Sequence, residues 1–286
     1  MEIISDPGAM RARAAAARRA GQRLGLVPTM GYFHEGHLSL MRRARAENDV
    51  VIVSLFVNPT QFGPGEDFER YPRDAAGDEA AAKAVGVDVL FTPSAADMYP
   101  PGYATFVEVA GLSDVLCGAR RPGHFRGVAT VVTKLFQLCR PDAAYFGRKD
   151  YQQAVVVKRV ITDLNFDVRL EILPTVRDAD GLALSSRNSY LTAEERTRAT
   201  ALVRALAKAQ GLFAAGEKRV SALKAAMADI LAAADARVDY VEIVDGDTLA
   251  PRDAARPGDL VAVAAYVGRT RLIDNTILGG DELEPR

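Results

Sequence analysis

The chain has 286 residues, 49% of them hydrophobic and 26% charged, with 36 Lys and Arg against 37 Asp and Glu. That length supports one large domain or two ordinary ones with real cores. A formal net charge of −1 supplies no global basic field for nucleic acid, and no apolar run reaches the ~20 residues of a membrane helix. The only two cysteines, Cys117 and Cys139, have neither metal spacing nor partners enough for a disulfide framework. They read as reduced thiols of a cytoplasmic protein.

In chain order, the Arg/Ala-rich stretch 10–20 lacks both the Ser enrichment of a transit peptide and an apolar signal core, and reads as a surface helix. Residues 23–29 end in a short apolar run, and residues 38–47 follow helical spacing. Residues 50–57 (VVIVSLFV) are nearly all apolar, as a parallel strand buried on both faces should be. A helix over 75–85 and a strand over 87–91 continue the alternation. Val128, Val131, Val132, Leu135 and Phe136 give the next helix. Another starts near Asp150, which could cap it, with Val157, Val160, Ile161 and Leu164 as its buried stripe. Residues 170–176 read as the last strand of this part.

The pattern changes after Arg187. Thr192 and Glu195 form a capping box that opens a helix expected to end at Gly211. Val220, Leu223, Met227, Ile230 and Leu231 mark a second helix, and strands follow at 238–244, 260–266 and 271–275. The resulting expectation is an α/β chain. A Rossmann-like, doubly wound parallel sheet occupies residues 1–175, and a smaller C-terminal α+β domain, residues 176–286, acts as a lid packed over it.

In an open parallel sheet, ligands bind beyond the carboxyl ends of the strands, and four unusual segments fall at such places. In residues 28–37 (PTMGYFHEGH), His34 and His37 sit at a helix start, where backbone N–H groups and the helix dipole suit phosphate oxygens. The same field favours neutral imidazoles. A metal site is the alternative, but the spacing is not H-E-x-x-H and other soft ligands are few. In residues 56–62, Asn58 and Gln61 bring amides to a strand end, where they suit substrate hydroxyl and carboxylate oxygens. Asn58-Pro59 is equally a plain turn signal.

In residues 145–153, Lys149 offers a compact charge for phosphate and Gln153 lies on the first turn of a helix; a solvated lysine is the bland alternative. This is not a P-loop. In residues 176–188, Ser185, Ser186 and Arg187 can form a phosphate clamp, Arg contributing a planar fork of donors. A local basic run, Arg120, Arg121, His124 and Arg126, is by default a solvated face, or else lies over the same pocket.

Together these segments resemble the pantothenate synthetase family from end to end. Its P-T-M-G-x-x-H-x-G-H signature is complete at 28–37, and F-V-N-P-x-Q-F-x-x-x-E-D stands at 56–67, followed by Tyr71-Pro72-Arg73. F-G-x-K-D-x-Q-Q occupies 146–153, and S-S-R-N occupies 185–188. The histidine pair alone marks only the wider adenylyl-transferring superfamily, whereas the four blocks in order are specific. Two positions depart from the common pattern: Arg148 replaces a Glu and adds positive charge, and Leu184 replaces a Met.

The resemblance implies ATP as a substrate with Mg2+ on its phosphates, pantoate and β-alanine as the other substrates, and a cytoplasmic homodimer. ATP would be held by Met30, Gly31, Tyr32, Phe33, His34, Glu35, Gly36 and His37, and by Gly147, Arg148, Lys149 and Asp150. Val176, Leu184, Ser185, Ser186 and Arg187 would complete the nucleotide site. Gln61 and Gln153, with Asn58, Arg121 and His124, would serve pantoate and β-alanine. His37 would stabilise the transferring phosphate, aided by His34, and Lys149, Ser185 and Arg187 would balance charge as pyrophosphate leaves. No nucleic acid, membrane or dedicated protein-held metal enters this expectation.

Overall fold

The structure is a computed structural model and describes residues 1–280 and 283. The elements in chain order begin with β1 (Glu2–Ile4), α1 (Pro7–Arg19), β2 (Leu24–Thr29), α2 (Glu35–Glu47), β3 (Val50–Leu55), α3 (Ala75–Ala84) and β4 (Val89–Phe91). Two short helices, α4 (Ala95–Met98) and α5 (Leu116–Arg120), precede α6 (His124–Cys139), β5 (Ala143–Gly147), α7 (Tyr151–Asp163) and β6 (Arg169–Leu173). Then come α8 (Ala193–Ala199), α9 (Ala201–Ala214), α10 (Val220–Ala233), β7 (Arg237–Val244), β8 (Leu260–Val267) and β9 (Thr270–Ile277).

The chain divides into two compact units. The first comprises residues 1–114, 121–148 and 156–173; the second takes 115–120, 149–155 and everything from Pro174 onward. The first unit holds a six-stranded sheet in the order β1-β4-β3-β2-β5-β6, with every pairing parallel. From β2 the chain winds outward through β3 and β4, and β5 and β6 then add on the other side of β2. The order reverses between β2 and β5, the place where such sheets bind ligands. All six residues of β3 except Leu55 are buried, because helices cover both faces of a parallel sheet. On one face Val27, Val51, Val53 and Tyr145 pack with Leu40, Met41 and Ala44 of α2.

The second unit is built on the antiparallel sheet β7-β8-β9. Its core joins Val241, Val261, Val263 and Leu272 to Leu202, Leu206 and Phe213 of α9 and to Leu223, Met227 and Leu231 of α10. The Thr192–Glu195 capping box is present, opening α8.

Several expectations need correction. Gly211 lies inside α9, which runs on to Ala214 and leaves at Gly216, whose φ is 99°. A lone glycine costs a helix only about 1 kcal/mol, less than the burial of Phe213 contributes. Leu164 is 48% exposed, beyond the end of α7, and the stripe that α7 buries is Ala154, Val155, Val156, Val157 and Val160. β1 escapes a periodicity reading because it is three residues long with one buried position. α6 starts at His124, four residues earlier than its apolar pattern, its N-cap being the left-handed Gly123.

One polar interaction is locked inside the second unit. Arg177 Nη1 and Nη2 donate to Asp274 Oδ2 and Oδ1 at 2.7 and 3.0 Å, with the two side chains 1% and 2% exposed. Arg177 also donates to the Gly181 carbonyl and so closes a hairpin in which Arg177 bridges to Ala183. Removing one partner of such a pair strands a charge in the interior, at a cost of about 3–5 kcal/mol, whereas replacing both with apolar groups is often neutral. Urea unfolding should therefore show Asp274→Ala losing about that much, and Arg177→Met/Asp274→Leu losing much less.

Candidate active site

In the first unit the strand ends gather the candidate groups. β2 runs out at Thr29, and Gly31 follows with a φ of 85°. A Cβ there would lie 2.8 Å from Asp78 Oδ2, so glycine is required both for conformation and for space. Asp78 accepts the backbone N–H groups of Tyr32 at 2.7 Å and of Phe33 at 2.6 Å. Asp78 and Ala82 are the two buried residues of α3, so a carboxylate occupies the buried stripe of a helix in order to hold this loop. Burial pushes its pKa up, the two N–H bonds pull it down, and Asp74 adds to the rise, leaving it raised on balance. A charged residue in the stripe of α3 is the sequence signal that could have found it.

The next amides are held by the histidines. His34 N–H donates to His37 Nδ1 at 3.3 Å, and Gly36 N–H donates to His34 Nδ1 at 3.2 Å. The rings lie 4.1 Å apart at the start of α2. Because each Nδ1 accepts a hydrogen bond, both rings are neutral and carry their proton on Nε2. Two Nε2–H donors beside a helix N-terminus are suited to anionic oxygens. Glu35, by contrast, is exposed, with both carboxylate oxygens on Arg42.

Beyond β3, residues 59–61 form a single 3₁₀ turn. Asn58 is 1% exposed and its amide is fully engaged. Nδ2 donates to Gln61 Oε1 at 3.0 Å and to the Gly127 carbonyl at 3.2 Å; Oδ1 accepts from Thr60 and from the Tyr99 hydroxyl. Gln61 is oriented by that bond, and its Nε2 points to Met30 Sδ at 3.2 Å. The Tyr99 hydroxyl, missed in the sequence, is pushed up to about 12 by burial.

The basic run 120–126 is not one cluster. Arg120 pairs with Asp239 within the second unit, and Arg126 lies on the Phe106 ring of the first. Arg121 Nε and Nη2 donate to Glu66 at 2.8 and 2.6 Å, and Nη2 also reaches the Gln61 carbonyl. His124 Nδ1 donates to that same carbonyl at 2.8 Å, which leaves Nε2 to accept from Arg121 Nη1 at 3.1 Å. Arg121 and His124 thus converge on one backbone carbonyl of the 58–61 turn, that of Gln61. Glu66, also missed in the sequence, anchors them. Burial alone would raise its carboxyl, but the hydrogen bond and charge of Arg121, with smaller help from Gly63 and His124, hold it below its ordinary value.

In the second unit, Lys149 and Asp150 lie in a 3₁₀ turn with Arg148 that leads into α7. The Lys149 side chain is 18% exposed, and its ammonium stands 3.9 Å from Asp150 Oδ1. Gln152 is buried and commits its amide to Cys117 N–H at 2.9 Å and the Val115 carbonyl at 2.8 Å, whereas Gln153 is half-buried. Val176 and Leu184 are paired across the hairpin by Leu184 N–H to the Val176 carbonyl. Ser185 Oγ accepts the Arg187 N–H at 3.3 Å and caps the turn Ser186–Tyr190. Ser186 is buried, while Ser185 and Arg187 are half-buried. Gly147 closes β5 in the first unit, with open space where a Cβ would stand.

Two outcomes follow for the 58–61 turn. A Cβ on Gly127 would lie 2.3 Å from the Thr60 carbonyl oxygen, so Gly127→Ala should cost about 1–3 kcal/mol and speed amide hydrogen exchange in residues 58–61. Because the folded Glu66 pKa lies below the unfolded one, its ion pair adds stability that is complete above the ordinary carboxylate range. That stability is lost as pH falls through the folded value. Denaturant titrations should show Glu66→Gln less stable than the parent at neutral pH, with the gap closing below about pH 4.

Comparison with known proteins agrees along the whole chain. The Pantoate-beta-alanine ligase family matches residues 2–277. The pantothenate synthetase of Moorella thermoacetica is 57% identical, covering 97% of this chain and 99% of that one. That of Thermotoga neapolitana is 55% identical over 98% of this chain and 100% of its own. A crystal structure of the Thermus thermophilus pantothenate synthetase superposes with a TM-score of 0.92 at 48% identity, covering both chains completely. The pantoate-beta-alanine ligase of Francisella tularensis, crystallised with beta-gamma ATP and beta-alanine, gives 0.80 at 34% identity over 97% of each chain. With its parallel sheet, its paired histidines and this match over nearly its full length, the chain belongs to the pantoate–β-alanine ligase family of enzymes.

Proposed function

We propose that the chain condenses (R)-pantoate with β-alanine to give pantothenate, using ATP and passing through a pantoyl adenylate. The observation that carries this reading is the histidine pair. Each Nδ1 accepts a backbone N–H, which puts the proton of both rings on Nε2 at the start of α2, the kind of donor that anionic oxygens take. The Francisella relative was crystallised with beta-gamma ATP and with beta-alanine, which supports both kinds of ligand here.

In the proposed reaction a pantoate carboxylate oxygen attacks the α-phosphorus of ATP, and the bond from that phosphorus to the β-phosphate's bridging oxygen breaks, releasing pyrophosphate. The β-alanine amine then attacks the acyl carbon of the adenylate, loses a proton, and AMP leaves. No side chain forms a covalent bond, so positioning and charge stabilisation supply the acceleration. His37, with His34, donates to the phosphate oxygens as charge develops. Lys149, Ser185 and Arg187 take up the charge of the departing pyrophosphate. The remaining ATP contacts fall to residues 30–36, 147–150, Val176, Leu184 and Ser186.

Gln61 and Gln153 hold pantoate; Asn58, Arg121 and His124 act behind Gln61. The site offers N–H, O–H and cationic donors, a set fitted to phosphate oxygens, so Mg2+ enters as part of the ATP complex, held by phosphates and water. The same proposal places the enzyme in the cytoplasm as a homodimer, on the strength of the family resemblance and of two free, buried thiols. No helix among the described residues is long and apolar enough to cross a membrane.

Pyrophosphate–ATP exchange without β-alanine tests the adenylate directly. Exchange should require pantoate, and β-alanine should convert the pool to AMP and pantothenate. A folded, ATP-binding protein without pantoate-dependent exchange would reject the mechanism. His37→Ala and Lys149→Ala should each lower turnover at least ~100-fold, the scale of one lost charge-stabilising group.

A further inference from the structure

A half-buried strand buries alternate residues, but β9 buries three polar residues in succession: Asp274, Asn275 and Thr276 are 3%, 6% and 1% exposed. Leu272 belongs to the core made with α9 and α10, so Asp274 and Thr276 share that face and Asn275 points from the other. On the core face Asp274 holds Arg177, and Thr276 Oγ1 accepts from Gln210 Nε2 at 3.0 Å. On the other face Asn275 Nδ2 donates to the backbone carbonyl of Lys149 at 2.8 Å. Ala262 stands opposite Asn275 in the register and Ala264 is the next on that face of β8; their small side chains leave the chain room to lie against the sheet. Arg271, also on that face, donates to Cys117 Sγ at 3.3 Å and to Asp239.

The bond from Asn275 crosses 126 residues of sequence and reaches the main chain of Lys149, not its ammonium. A lysine ammonium rides on a flexible four-carbon stem, and the ion pair with Asp150 is long, at 3.9 Å. With no close side-chain partner among the described residues, the pinned main chain sets the origin from which the ammonium reaches. We infer that Asn275 is a positioning residue for Lys149, fixing from β9 the point from which the charge is presented to the phosphates. The inference rests on the role proposed above for Lys149.

The test is Asn275→Ala in the full-length chain. A displacement of about 1 Å in a reacting group can cost ~100-fold, so turnover in pantoate-dependent pyrophosphate–ATP exchange should fall about 10- to 100-fold. Amide hydrogen exchange in residues 149–153 should accelerate at least ~10-fold while unfolding stays a single transition. In a Lys149→Ala background the same substitution should cost less than about twofold more, because the two act as one device. Should Asn275→Ala fail to fold, Asn275→Ser, which shortens the reach but keeps a polar atom, carries the same readings. Unchanged amide protection at 149–153 overturns the inference, and so does a full additional loss in the Lys149→Ala background. If the unaltered enzyme shows no pantoate-dependent exchange, the proposed reaction fails separately, and the amide protection still decides whether Asn275 pins Lys149.

Discussion

Four backbone N–H groups between Tyr32 and Gly36 set the terms for the first unit. A turn between a buried strand and a helix exposes amides that must find acceptors. Here two go to Asp78 and two go to the Nδ1 atoms of His34 and His37. Gly31 is glycine because a side chain would strike Asp78, and α3 carries a carboxylate in its buried stripe because these amides need one. The imidazoles are neutral and carry their proton on Nε2 because their other nitrogens accept backbone N–H groups. The tautomer of both histidines is thus a by-product of satisfying a turn.

The same demand separates the amides in two motifs. Asn58 and Gln61 lie three residues apart, and Gln152 and Gln153 are adjacent. In each pair one member is buried and saturated, Asn58 by Gln61, Gly127, Thr60 and Tyr99, and Gln152 by residues 115 and 117. The saturated amide orients its surroundings; Gln61 is buried too, with Oε1 on Asn58 and Nε2 toward Met30 Sδ, while Gln153 is half-buried. For Gln61 the carbonyl is fixed by Arg121 and His124 as well, so main chain and side chain are held independently.

The parallel sheet was legible in the sequence because β3 is nearly all apolar and helices alternate with strands. The four motifs were legible because each breaks pattern at a strand or helix end. What escaped depended on contacts distant in sequence. Glu66 and Arg121 are 55 residues apart, Asp78 and Phe33 are 45, and Asn275 and Lys149 are 126; no local pattern encodes such pairings. Gly211 misled because helix propensity is a weak signal beside burial. Leu164 misled because an apolar residue past the last turn has no partner to reach.

Charge distribution carries the distinction furthest. Arg121, Arg177 and Arg271 each meet a carboxylate within 2.8 Å, and a guanidinium neutralised in place has little left for a phosphate. Arg120 lies 3.5 Å from Asp239, and Arg126 stacks on the Phe106 ring. A sequence run of cations therefore resolves into separate structural ties. Lys149 is the contrast: mostly enclosed, at 18% side-chain exposure, its ammonium has among the described residues only a long approach from Asp150. On the reaction proposed above, an arriving polyphosphate would supply the close counter-charge that Asp150 does not. In that proposed reaction, a poorly compensated Lys149 on an anchored backbone would serve both the binding of a polyphosphate and the release of pyrophosphate, which a field of basic side chains would hold too long.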